Sequence, residues 1–137
     1  MRAIVIVLAI AAMVLSLTPT ASAQPVYFAD DNLKAAVEAE LGVTDPDAGD
    51  MLNLYYLSAN FSNITDLTGL EYAANLGDLY LDGNQISDLS PLAGLTNLTD
   101  LYLSDNQISV LSPLAGMTNL TDLDLSLIHI SEPTRLR

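Results

Sequence analysis

The sequence predicts an α/β solenoid, in which one short strand from each repeat joins a single parallel sheet and a helical cap closes the N-terminal end. Three observations predict it. Residues 75–96 (NLGDLYLDGNQISDLSPLAGLT) and 97–118 (NLTDLYLSDNQISVLSPLAGMT) agree at 17 of 22 positions without a gap. A period in the twenties means stacked units, each burying its apolar face only against its neighbours. Within the unit, Leu79 and Leu81 alternate with polar residues, the period of a half-buried strand, and an amphipathic helical segment precedes the array.

The two ends of the 137-residue chain differ from its middle. Arg2 precedes a 15-residue, almost wholly apolar run at 3–17, and Ala21, Ser22 and Ala23 follow. This is the pattern of a secretory signal peptide over 1–23, cleaved before Gln24. The run is short of the roughly 20 residues that span a bilayer. No cysteine is present, so neither a disulfide framework nor a cysteine-linked lipid is expected. At the other end, 125–135 (LSLIHISEPTR) departs from the repeat and resembles the in-frame translation of a transposase adapter used in preparing sequencing libraries. Residues 125–137 are therefore expected to be an adapter-derived tail on a truncated array, the alternative being a divergent last strand with a basic tail. Between these ends, 24–124 holds 16 Asp and Glu against the single Lys34, a formal charge of −15. Such a surface disfavours nucleic acid and anionic membrane and suits a basic ligand.

The cap is expected over 24–52. In 28–41, Leu33, Ala36, Val37 and Leu41 share one helical face, Asp30 or Asp31 can cap the first amides, and Gly42 can close the end. The turn-rich 44–50 clusters Asp45, Asp47 and Asp50, but an EF-hand loop would need a glutamate where Tyr56 stands. A looser calcium site remains open there, against a solvated turn leading into a short second helix around 50–53. The repeats then occupy 53–124: a diverged unit at 53–74, the two alike units, and a partial unit at 119–124.

In each unit the strand leucines point inward, and Ile86, Leu89, Leu92 and Leu95 return beneath them to form the opposite wall, with one helical turn near 91–94. Asn84 and Asn106 sit where the chain leaves the sheet, and a buried amide there can bond the backbone of neighbouring turns, giving an asparagine ladder. Seven aliphatic side chains per unit, at about 1.5–3 kcal/mol each when buried, offset the ordering cost only between two neighbours.

The pattern LxxLxLxxNxI with its DLSPLAGLTN-type return resembles the bacterial 22-residue leucine-rich repeat of the internalin-like class. The resemblance runs from Phe28 to Asp124 and includes the cap wording FADDNL. It implies a right-handed superhelix with its parallel sheet on the concave face, presented to a protein ligand outside the cell. Two positions depart from the pattern, Ser62 and Ile128, which stand where the ladder asparagine is expected.

With the leucines inward, the outward columns are Tyr56, Asp78, Asp100, Asp122; Ser58, Tyr80, Tyr102, Asp124; and Asn60, Asp82, Ser104. Tyrosines offer rigid contact area, and stacked carboxylates repel unless a cation or basic partner faces them. The candidate ligand residues are Tyr56, Asp78, Tyr80, Asp82, Asp100, Tyr102, Asp122 and Asp124. No catalytic site is expected. His129 is the only histidine and lies in the divergent tail, so no Ser/His/Asp or Cys/His set exists in 24–124, and repeated aspartates in like surroundings do not separate into acid and base. The sequence thus reads as a secreted or cell-surface protein-binding module, of adhesion or interaction type, that needs no cofactor. The alternative is a targeting or spacer domain of a longer secreted enzyme or surface protein. Asn60, Asn63, Asn97 and Asn119 match glycosylation acceptors; Asn97 and Asn119 are simply repeat positions, and the matches carry no weight.

Overall fold

A computed structural model describes residues 23–128. The signal peptide expected at 1–23 lies, but for Ala23, outside the described residues, as does the tail from 129 onward with His129. Helix α1 (Asp31–Leu41) and the single turn α2 (Ala48–Met51) form the cap, and β1 (Tyr56–Ser58), β2 (Asp78–Tyr80), β3 (Asp100–Tyr102) and β4 (Asp122–Asp124) follow. The strands make one parallel sheet in chain order, each in register one repeat along from the last. Between them the chain returns through 3-10 turns at Leu70–Tyr72, Ser90–Leu92 and Ser112–Gly116. Parallel strands linked by crossovers on one side of a sheet wind right-handed.

Helix α1 starts and ends at caps that the sequence offers, Asp30 and Gly42. Asp30 is its N-cap, its Oδ1 accepting from the amides of Asn32 (2.9 Å) and Leu33 (3.1 Å). Gly42 closes the far end with its amide on the Glu38 carbonyl. Phe28 lies outside the helix and packs against Gly69, where an added Cβ would stand 2.5 Å from the ring at a φ of 109°. Only glycine fits that meeting of cap and first repeat. Helix α2 begins before the expected 50–53 because Asp47 and Asp50 form a reciprocal capping box at its first turn. In the turn-rich 44–50, Asp47 and Asp50 serve the box, and Asp45 pairs with Lys34.

The core is a stack of aliphatic layers. In the unit 75–96 all seven predicted side chains, Leu76, Leu79, Leu81, Ile86, Leu89, Leu92 and Leu95, are buried. Asp66 and Asp88 each accept the amide two residues on, at 2.8 Å, and so set the chain's entry into the return turn. In the third unit Val110 occupies that position, and it is 56% exposed.

The asparagine ladder is present and links coil to coil. Asn84 Oδ1 accepts from the amides of Ser62 (3.1 Å) and Ile64 (2.9 Å), while its Nδ2 donates to the carbonyls of Ala59 and Leu81, both at 2.9 Å. Asn106 repeats this one coil later, accepting from Ile86 (3.0 Å) and donating to Leu81 (2.9 Å) and Leu103 (3.0 Å). The ladder therefore serves the preceding coil as much as its own. The first coil meets the cap instead: Asp30 Oδ2 accepts from the amide (2.8 Å) and hydroxyl (2.9 Å) of Thr65. The fourth coil follows β4 with contacts of its own. Leu125 and Ile128 are partly buried on the core, and the Ser126 carbonyl accepts from the Asp105 amide at 3.0 Å.

A second ladder is not apparent from the sequence. Asn75, Asn97 and Asn119 each donate Nδ2 to the carbonyl of Leu52, Ala74 and Thr96 in the coil before, at 2.9, 2.8 and 2.8 Å. The last two are among the residues that match glycosylation acceptors, and here they stitch the start of each unit to its neighbour.

Two outcomes follow from these contacts. Asn84→Ala strands buried amides and carbonyls of two coils and should destabilise the chain by about 2–4 kcal/mol in denaturant unfolding, while Gln85→Ala, at an exposed neighbour, stays within about 0.5 kcal/mol. Burial of Asp30 opposes its ionisation, but the bonds from Thr65, Leu33 and Asn32 outweigh it and hold its carboxyl below the usual 3.8. A folded pKa below the unfolded one adds stability that is present above pH 3.8 and lost as pH falls through the lower folded value. Unfolding midpoints followed into that acid range should fall for the native chain and fall less steeply for Asp30→Asn, which is less stable at neutral pH.

Candidate functional site

The sheet face is built by the same alternation that builds the core. With Leu57, Leu79 and Leu101 buried at the strand centres, the flanking side chains of each strand point outward. The register then aligns Tyr56 with Asp78, Asp100 and Asp122, and Ser58 with Tyr80, Tyr102 and Asp124. An acidic column and an aromatic column lie side by side. Tyr80 and Tyr102 stack with ring centroids 4.8 Å apart and planes 13° from parallel. Tyr56 joins them across the diagonal at 5.6 Å, tilted by 46°. Stacking on adjacent strands costs these rings little further freedom and leaves a preformed flat surface.

The carboxylates beside the rings are thinly served. The Thr99 hydroxyl stands 2.9 Å from Asp100 Oδ2 and 3.3 Å from Asp78 Oδ1, and one hydroxyl proton can satisfy only one of them at a time. Neighbouring strands lie about 4.8 Å apart, so each adjacent pair of charges repels by about 1 kcal/mol even in water. The field reaches the phenols. Partial desolvation comes first in raising the pKa of Tyr80, followed by the charges of Asp100 and Asp78. Tyr102 is raised in the same way, by desolvation and then by Asp122 and Asp100. Both hydroxyls therefore keep their protons through the physiological range.

The other candidates have local roles. Asp82 Oδ1 accepts from the Ser104 amide at 2.8 Å, and the Asp82 amide in turn donates to Asn60 Oδ1 at 2.8 Å. The third column is thus a side-chain buttress along the sheet rim. Asp124 Oδ1 accepts from the Ser126 amide at 2.9 Å, and this bond lowers its pKa. The open platform is Tyr56, Tyr80 and Tyr102 with Asp78, Asp100 and Asp122. Among the described residues no group of three or more His, Cys, Asp or Glu is arranged to hold a metal ion.

One exposed aromatic is not singled out by the sequence pattern. Phe61 is 76% exposed and lies over Gly83, whose Cβ, if present, would stand 2.2 Å from the ring. Residues 61, 83, 105 and 127 are the same position of successive coils, and all are left-handed, with φ of 53°, 67°, 53° and 57°. Gly83 and Asp105 suit that conformation, and their recurrence 22 residues apart was the signal available.

Comparison with known proteins agrees with this geometry. A family profile described as Leucine Rich repeats (2 copies) matches residues 96–133. No curated protein sequence matches the chain significantly. Among solved structures, an internalin (inlF) from Listeria monocytogenes superposes with a TM-score of 0.76 at 32% identity, over 84% of this chain and 36% of that one. Internalin C2 (inlC2) of the same organism gives 0.65 at 34% identity, over 80% of this chain and 62% of its own. A structure of the CBM51-2 and INT domains of Clostridium perfringens ZmpB, in complex with GlcNAc, gives 0.58 at 35% identity, over 64% of this chain and 19% of that one. The chain thus spans 36% and 62% of the two internalins. With a 22-residue repeat, a single parallel sheet in register and internalins matched over most of its length, the chain has the leucine-rich-repeat fold of the bacterial internalins and is internalin-like in its repeat.

Proposed function

We propose that the chain is a protein-recognition module acting outside the cell, secreted or at the cell surface, whose ligand seats on the exposed sheet face. The observation that carries this reading is the stacked Tyr80–Tyr102 pair standing open beside Asp78 and Asp100. Rings already fixed against each other contact a partner with little further loss of entropy, which suits them as binding anchors. Leucine-rich-repeat domains of this kind are in general protein-interaction modules. The signal-like N-terminus supports the extracellular setting, and among the described residues no helix is long and apolar enough to cross a membrane.

The module is non-catalytic in this reading, because Asp78 and Asp100 share one hydroxyl donor and nearly identical surroundings, which do not divide an acid from a base. It requires no cofactor. A second reading, a targeting or spacer domain of a longer secreted protein, is favoured by the likeness to part of Clostridium perfringens ZmpB, where the matched region is 19% of a longer chain.

Binding of the purified chain to intact cell surfaces, with and without prior protease treatment of those surfaces, tests the main reading. Tyr80→Ser/Tyr102→Ser should weaken protease-sensitive binding at least tenfold, whereas Ala93→Ser on the return side should leave it unchanged. Equal binding by both variants would overturn the assignment of this face. The local field is also measurable. A phenol whose folded pKa is raised adds stability that is present below its usual value of 10.0 and lost as pH rises through the higher folded value. Absorbance titration should show tyrosines ionising above pH 10.0, and Asp78→Asn/Asp100→Asn should move them back down.

A further inference from the structure

Resting on that reading, we infer that what this face takes is an extended, basic segment of the partner protein, with Arg or Lys side chains lying on the Tyr80–Tyr102 stack and pairing with Asp78 and Asp100. The charge pattern points one way. Residues 24–124 contain 16 acidic side chains and one basic one, Lys34. That lysine is committed to the cap, where it pairs with Asp45 and, at 3.6 Å, with Glu38. The acidic column on the sheet therefore has no cation of its own among the described residues; Asp78 and Asp100 share the Thr99 proton, and Asp122 has a long 3.5 Å contact from the Thr121 hydroxyl.

The rings beside that column favour the same ligand. A guanidinium or ammonium over an aromatic face is attracted by the ring quadrupole, and Arg can stack on the ring while its N–H groups reach a carboxylate alongside. Here the two surfaces are adjacent columns of the same strands, so one side chain can meet both. From Asp78 to Asp122 the column crosses two inter-strand steps, about 10 Å, which is the reach of about three extended residues. Two basic side chains two residues apart on the same face of an extended segment, about 7 Å, lie within that span. An acidic peptide, a nucleic acid or an anionic membrane would instead add to the repulsion already present along the column.

The probe is an acetylated ten-residue peptide of alternating Arg and Ser, titrated by fluorescence anisotropy against the full chain at low and moderate salt. A Glu/Ser peptide of the same length and a chitin oligosaccharide serve as competing ligands. The Arg/Ser peptide should bind, and Asp78→Asn/Asp100→Asn should weaken it at least tenfold and flatten its salt dependence. Tyr80→Ser/Tyr102→Ser should weaken it about fivefold or more. Asp31→Asn/Glu40→Gln removes the same charge from the exposed side of α1 and should change affinity less than twofold, with thermal melts confirming that each variant is folded. Equal weakening by the α1 and sheet pairs would reduce the effect to overall charge and overturn the inference, as would preference for the Glu/Ser peptide or the oligosaccharide. If the sheet carboxylates prove irrelevant to peptide binding while the tyrosine pair still governs binding to cell surfaces, the basic partner falls and the protein-recognition reading stands. If the tyrosine pair affects neither, both fall.

Discussion

Everything in this molecule depends on closing the backbone where the chain leaves the sheet. At that corner each coil turns inside the stack, where its amides and carbonyls are cut off from water and too far from any strand partner. Asn84 and Asn106 supply both a donor and an acceptor there, to their own coil and to the one before. A buried amide left without such a partner costs free energy on the scale of a lost hydrogen bond. The same bonds fix the offset between coils, and with it the register of the sheet and the alignment of every outward column. Leucine burial drives the stack together, but it is indifferent to small slips that the asparagines forbid.

The first and fourth coils show what the ladder requires. The first coil takes its ladder bonds from Asn84 and also faces a helix, where Asp30 ties it to the cap, its one carboxylate capping α1 and holding Thr65 of the first repeat at once. A charged acceptor suits that place because four donors converge on it. In the fourth coil Ile128 stands at the ladder position and contributes bulk to the core without polar groups. Leu123 there is 46% exposed, whereas Leu101, with a coil on either side, is fully buried. Each layer is completed by its neighbours, as expected for a quasi-one-dimensional stack.

The recognition face inherits its form from this repetition. Because the coils superpose in register, a tyrosine or aspartate copied with its repeat lands beside its own copy. For Tyr80 and Tyr102 the result is a favourable stack; for Asp78 and Asp100 it is repulsion, tolerated because the core and ladders behind the sheet supply the stability. Asp82, drawn from the same duplication, is instead absorbed into the rim through its bond to the Ser104 amide. Identical spacing in sequence thus leads to different roles, depending on which backbone donors lie within reach.

The repeat, the strand positions, the inward leucines, the asparagine ladder and the two outward columns were all legible in the sequence, because period and alternation are local properties that survive into the fold. The position of α2, the seating of Phe28 on Gly69 and the contact of the exposed Phe61 with Gly83 were not. Nor were the double duty of Asp30 or the second ladder through Asn75, Asn97 and Asn119, which join residues 35, 23, 23 and 23 positions apart. Such contacts exist only once coils are stacked. The sequence by itself determined which side chains face in and which face out; the tertiary structure decided which of the outward ones are spent on the neighbouring coil and which remain free to meet a partner, because hydrogen-bond donors from another turn of the chain come within reach only when the solenoid has closed.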